Sequence, residues 1–221
     1  ASCPPHERDA RSKGIPGKGS GAIYPYSEAD VVCKRFNIPN DWPRCYGLDV
    51  GWNCTAAIWI AQAPNSGRYF VYDEHYLKCQ LPAVHASAIK QRGRWIVGAV
   101  DPSSAGIQGT SKNSFFDMYA AEDLSLYPAD NSHELGIPII SQLFASGQLY
   151  IMENCANTIE EFRLYRRDES GKIVKGFDHA MDAMRYALVT GVKYMSVDPH
   201  YDIDESYFDD TGNGRSTVTG Y

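Results

Sequence analysis

The sequence lacks any apolar run approaching the ~20 residues that a membrane-spanning helix needs, and its first residues lack the charged-then-apolar layout of a secretory leader. A cytosolic setting is expected. CxxC pairs are missing too. The six cysteines, Cys3, Cys33, Cys45, Cys54, Cys79 and Cys155, are scattered, and no histidine stands near them at zinc-ligand spacing. They are expected to be reduced thiols. There is no excess of basic charge, and a net charge of −6 argues at first against a partner built of phosphates. That deficit is local, however. From Asp198 onward six acids face one base, Arg215, which leaves 21 acids and 20 bases in the rest of the chain. The body is therefore close to neutral, and nucleic acid stays open as a partner.

What the sequence does hold is the composition of an ordinary globular domain, 43% hydrophobic and 22% charged over 221 residues, enough for one buried core. Residues 1–44 are rich in Gly, Pro and Ser with little periodicity and read as a linker or arm; 45–197 read as the compact domain; 198–221 read as an acidic flexible tail. Within the body, Arg44–Val50, Thr55–Ala61 and Arg68–Leu77 predict three consecutive antiparallel strands. Pro82 opens a helix that runs to Gln91, and Trp95–Val100 predicts a buried strand. Helices over Ser114–Glu122, Glu134–Ala145 and Thr158–Leu164 then alternate with short strands at Leu124–Tyr127 and Leu149–Met152, which implies parallel pairing. The stretch RLYRRDESGKIVKG predicts a hairpin around its Ser-Gly turn, and Phe177–Val192 the last helix.

Two acids stand where strands end, Asp49 in YGLDVG and Asp101 in WIVGAVDP. An ionised carboxylate beside a core is costly unless it is paired or binds a cation. The last helix, FDHAMDAMRYAL, adds more: Phe177, Met181, Met184 and Leu188 form an apolar stripe, with Asp178 and Asp182 one turn apart and His179 between them. If this helix docks where the strands end, Asp182 meets Asp49 and Asp101. Three converging carboxylates suit Mg²⁺ or Mn²⁺, and two such ions ~3.5–4 Å apart clamp a phosphate for hydrolysis. Asp49 would bridge the ions, with Asp101 and Asp182 completing their shells. Asp178 would be an accessory ligand or simply a helix-start acid, and His179 would steer water or take a proton. Each of these residues alone is ordinary as a turn, cap or surface group. The set in this order carries the reading.

Arg163, Arg166, Arg167, Lys172 and Lys175 crowd the hairpin, with Tyr165 among them. Such a finger could grip DNA phosphates and stack on bases, or be a solvated hairpin with ordinary edge charges. Lys90, Arg92 and Arg94 form a second, weaker cluster.

With these segments in view, GSGAIYP, WPRCYGLDVGWNCTAAIW, VGAVDPSS and FDHAMDAMRYAL in that order, the chain resembles the nuclease domain of large terminase subunits from tailed double-stranded DNA phages, headful packagers especially, from about Gly19 to Val192. The resemblance implies an RNase H-like α/β fold, a mixed sheet flanked by helices with an auxiliary β-hairpin. It also implies a metal-dependent cut of concatemeric double-stranded DNA during genome packaging. Partners would be the portal and the small terminase subunit, and the setting the host cytoplasm, transiently at the procapsid portal. It places the catalytic acids at Asp49, Asp101 and Asp182, with His179 as ligand or assistant and Asp178 close enough to substitute for Asp182. Family members couple this nuclease to an N-terminal packaging ATPase. Here GIPGKGS, with Lys18, lacks phosphate-loop spacing, so the chain is expected to be an excised domain without translocation.

Two rivals come from other classes. DVGWNCT, with Asp49, Gly51 and Thr55, also resembles the first phosphate loop of the actin, sugar-kinase and heat-shock ATPase superfamily, although no second phosphate loop follows. The acids could also hold a structural cation in a silent docking module, or serve another RNase H-like enzyme such as a resolvase or transposase.

Overall fold

The computed structural model describes residues 21–102 and 115–200, and the readings made on 1–20, on Lys18 and on 201–221 lie outside these. The elements in chain order are α1 (Glu28–Val31), β1 (Val32–Cys33), β2 (Arg44–Asp49), β3 (Thr55–Gln62), β4 (Tyr69–Leu77), α2 (Pro82–Gln91), β5 (Val97–Val100), α3 (Phe115–Ala120), β6 (Leu126–Pro128), α4 (His133–Ala145), β7 (Leu149–Met152), α5 (Ala156–Leu164) and α6 (His179–Val189). A 3-10 turn, Gly191–Tyr194, follows. They build one mixed seven-stranded sheet in the order β1-β7-β4-β3-β2-β5-β6. The meander β2-β3-β4 is antiparallel, as its short connecting turns allow. β5, β6 and β7, each reached through a helix, pair in parallel with their neighbours.

β3 is buried from Thr55 to Ala61, as a central strand covered on both faces must be, and its sequence is accordingly a continuous apolar run. Its alternate residues feed two cores. Ala56, Ile58 and Ile60 pack with Cys45 of β2 and with α4, α5 and α6; Ala57 and Trp59 pack with Tyr46, Leu48, Ile89 of α2 and Tyr119 of α3. Local chemistry sets the helix ends: Pro82 starts α2, the Ser132 hydroxyl accepts from the Leu135 amide at the start of α4 (3.2 Å), and Gly147 at φ +62° ends it.

Three expectations change. Within residues 21–43, read as linker, Tyr24 and Val31 are buried against the body. Tyr24 is 1% exposed among the rings of Phe144, Phe162 and Tyr165, and β1 extends the sheet beside β7. Scattered anchors do this work, Tyr24, Val31 and the rings of Phe36 and Trp42 against Phe70, and periodicity cannot register them. The last helix starts later than expected, so Phe177 precedes it and is 49% exposed; every residue of α6 from Ala180 to Val189 is buried, making it a central helix. The hairpin forms, with a bridge between Arg167 and Ile173, but Tyr165 at its base is buried in the core and cannot stack on a base. The five cysteines among the described residues are free thiols. No helix among the described residues is long and apolar enough to cross a membrane.

Candidate active site

α6 can lie close to β2 because Gly47 faces it. A Cβ at that position would stand 1.8 Å from the carbonyl oxygen of Ala183, so only glycine permits the approach. Helix and strand run in opposite directions: Gly191 lies beside Cys45, Ala183 over Gly47 and His179 beside Asp49. Four helical residues rise ~6 Å and two strand residues ~6.6 Å, so one step along α6 matches one pleat of β2, and histidine and aspartate meet. Leu48 and Val100 are partners in the parallel β2–β5 ladder. Asp49 and Asp101 therefore follow at the same end of adjacent strands.

His179 Nδ1 lies 2.8 Å from Asp49 Oδ2. Burial, together with the charges of Asp182 and Asp178, raises the Asp49 pKa despite the bond from His179; that same bond raises the pKa of the His179 imidazole. Asp182 is buried, and its Oδ1 accepts from Arg185 at 2.8 Å and lies 3.3 Å from His133 Nε2. Burial pushes its carboxyl up, but the His133 bond and the Arg185 charge outweigh this and leave its pKa lowered. Asp178, also buried, accepts from the Lys175 ammonium at 2.6 Å and from the Gly176 amide at 3.0 Å, and the same ammonium lies 3.9 Å from Asp182. Asp101 accepts from Asn131 at 3.1 Å and from the Tyr186 hydroxyl at 3.3 Å. Burial, and then the charges of Asp182, Asp49 and Asp101, push the Tyr186 phenol well above its usual range, so all three acids lie within electrostatic reach of one ring.

Among the described residues no three His, Cys, Asp or Glu side chains are already gathered tightly enough to hold a metal ion. The donor chemistry nevertheless fits a hard divalent cation. The acids offer oxygen only, their charges oppose one another at Asp49, and an ammonium from Lys175 stands between Asp178 and Asp182 as a tethered cation.

The basic residues divide. Arg166, Arg167, Lys172 and Lys175 are exposed along the hairpin, whereas the Arg163 guanidinium forms a two-pronged bridge to Glu28, both contacts 2.6 Å. In the second cluster Lys90 pairs with Glu122, Arg92 with Asp73 and Arg94 with Asp123. Sequence reasoning did not single out His133, Arg185, Tyr186, Asn131 or Glu161. Arg185 and Tyr186 had a signal, since they follow Asp182 by three and four residues and so share its helix face. Asn131 and His133 lie far along the chain from their aspartates and had none.

Comparison with known proteins finds that residues 46–190, a span that holds Asp49, Asp101, Asp178, His179 and Asp182, match the family described as the Terminase RNaseH-like domain. Two curated proteins, each a "Terminase, large subunit", from Salmonella phage P22 and Enterobacteria phage LP7, are 33% identical to the chain over 197 residues. The matched stretch is 86% of this chain but 40% and 42% of theirs, so the chain spans about two-fifths of their length. The solved nuclease domain of the P22 large terminase superposes with a TM-score of 0.73 at 26% identity, covering 81% of this chain and 96% of that one. The large terminase nuclease of thermophilic phage G20c, solved with bound magnesium, shares the fold at a TM-score of 0.58 and 14% identity, covering 78% of this chain and 98% of that one.

Proposed function

The chain belongs to the Terminase RNaseH-like domain family and has that family's RNase H-like mixed sheet, and from this premise we propose that it is a metal-dependent endodeoxyribonuclease that cuts concatemeric phage DNA during genome packaging. The observation that carries the reading is the desolvated Asp49 carboxylate at the end of β2, held by His179 and crowded by the charges of Asp182 and Asp178. Asp49, Asp101 and Asp182 would hold divalent cations, Mg²⁺ or Mn²⁺, two in number, with Asp178 as an accessory donor. When bound, such ions supply positive charge at the scissile phosphate and at its attacking and leaving oxygens.

The protein's own groups do the rest. His179 has Nδ1 engaged by Asp49 and keeps Nε2 to take the proton of an attacking water. Arg185 and His133 keep Asp182 ionised, so that it serves as a donor at neutral pH. Lys175 neutralises Asp178 and Asp182, supplying the positive charge that a bound divalent cation would supply in its place. Arg166, Arg167 and Lys172 grip the phosphates of double-stranded DNA from the hairpin, with Arg163 steadying its base through Glu28. In a full large terminase the partners of this domain would be the packaging ATPase domain, the portal and the small terminase subunit, and the work would be done in the host cytoplasm at the procapsid portal.

The test is nicking of supercoiled plasmid by the purified chain with Mg²⁺ or Mn²⁺ present. Wild-type protein is expected to cleave only with the metal, and Asp49→Asn to lose roughly 1000-fold in rate, about 4 kcal/mol, while melting as a folded protein. Cleavage that survives a chelator, or an Asp49→Asn variant as active as wild type, overturns the reading.

A further inference from the structure

The helix that carries the acids does not cap itself. Asp178 occupies the N-cap position of α6, yet its carboxylate makes no capping bond and is turned to Lys175 and Gly176. The amides such a cap normally serves, those of the second and third helical residues, donate instead to Glu161 Oε2 on α5, Ala180 at 2.6 Å and Met181 at 3.3 Å. Glu161 is 3% exposed, and its other oxygen accepts from the Tyr76 hydroxyl of β4 at 2.8 Å. A buried carboxylate is retained only where such donors satisfy it.

The same arrangement recurs one element earlier. Cys155, the N-cap of α5, makes no side-chain cap bond; Glu74 of β4 serves the second and third helical residues from outside the helix. Its Oε1 accepts from the amide and side chain of Asn157 at 2.9 and 2.7 Å, and its Oε2 from the amide and hydroxyl of Thr158 at 2.9 and 2.7 Å. β4 thus fixes the start of α5 through Glu74, and α5, again with β4, fixes the start of α6 through Glu161. His179, the first residue of α6, is the side chain that meets Asp49.

We propose that Glu161 is a positioning residue of the active site: by capping α6 from a neighbouring helix it fixes the place of His179 against Asp49 and releases the Asp178 carboxylate from capping so that it faces the site. The inference rests on the nuclease reading for its activity and Mn²⁺ arms, and stands apart from it in the amide-exchange and His179 resonance arms. Its negative charge also lies at the positive end of the helix, where it is favourable.

The experiment is Glu161→Gln in the full chain, which keeps the size of the side chain but removes the charge and one acceptor. Expected are a folded protein by circular dichroism, faster amide exchange at Ala180 and Met181, and displaced ring resonances of His179. Weaker Mn²⁺ affinity by calorimetry without DNA is also expected, with a kcat for nicking roughly 10- to 100-fold lower at unchanged KM for DNA. A lower melting temperature with His179 resonances, Mn²⁺ affinity and kcat all unchanged shows a merely structural cap and overturns the proposal. If Glu161→Gln does not fold, Tyr76→Phe, which removes a single donor to Glu161, is expected to move the same readouts in the same direction by less, and no movement overturns it. If wild type itself does not cleave, the nuclease reading fails while the amide-exchange and His179 resonance arms still decide the role of Glu161.

Discussion

The two faces of the sheet bury titratable groups in opposite ways. On the α6 face three acids are matched with cations, Asp182 with Arg185 and His133, Asp178 with Lys175 and half-buried Asp49 with His179, while buried Glu161 is held by neutral donors alone. On the other face the buried groups are two histidines matched with each other, His75 Nε2 lying 2.8 Å from His85 Nδ1 between β4 and α2, with Asp73 and Arg92 as the nearest charges. One face gathers negative charge and balances it with cations, and the other buries a pair of neutral rings. The difference teaches that burial by itself does not mark a functional site in this fold. What sets the candidate site apart is the crowding of like charges, balanced by Arg185, His133, Lys175 and His179.

That comparison can be broken from either side. The largest effect is expected at Arg185, 1% exposed, whose guanidinium is the closest cation to buried Asp182. Arg185→Met should cost about 3–5 kcal/mol in chemical denaturation, and the double variant with Asp182→Leu should recover much of it, because the loss comes from an orphaned charge. Equal stability of Arg185→Met and wild type would show that the pair is not what holds this face.

Next is the histidine face. Burial pushes the His75 imidazole down to about 4, from 6.5 for an ordinary histidine, and burial lowers His85 as well. With folded values depressed, the neutral pair contributes stability that is fully present above pH 6.5 and is lost as the pH falls toward 4, by up to about 3 kcal/mol at the bottom of that window. Melting curves from pH 7.5 to 4 check this, and His75→Gln should flatten the acid limb. A limb equally steep in the variant assigns it to other groups.

The smallest effect compares two glycines on adjacent strands. A Cβ at Gly47 would meet the backbone of α6 at Ala183, whereas one at Gly98 would meet the ring of Tyr46 on the other face. Gly47→Ala is expected to cost about 3 kcal/mol, and Gly98→Ala about 1 kcal/mol less, because a ring can tilt and a helix backbone cannot. Thermal melts of the two variants order them, and the reverse order would mean that α6 is the softer neighbour.

The legible parts of this protein were those written in short-range pattern. β2, β3, β4 and β7 appear within a residue or two of where apolar runs and turns place them, and the strand-end acids and the helix with Asp178, His179 and Asp182 stand out at the level of motif. Tyr24, Glu161, His133 and Asn131 were not legible, because each acts on a partner brought near by the fold and far away in the chain. Nor does helical spacing reveal that α6 is buried on every side, since its Ala, Met and Arg read as one amphipathic face until α4 and α5 close over the other.

By itself, then, the sequence determined the alternation of strands and helices and the carboxylates at strand ends and on the last helix, since periodicity and residue chemistry are local properties. The tertiary structure alone decided that Gly47 admits α6 to β2, that His179 lands on Asp49, and that a carboxylate from α5 caps the helix carrying them. These depend on how closely two backbones approach, and close approach is settled by packing between elements distant in sequence.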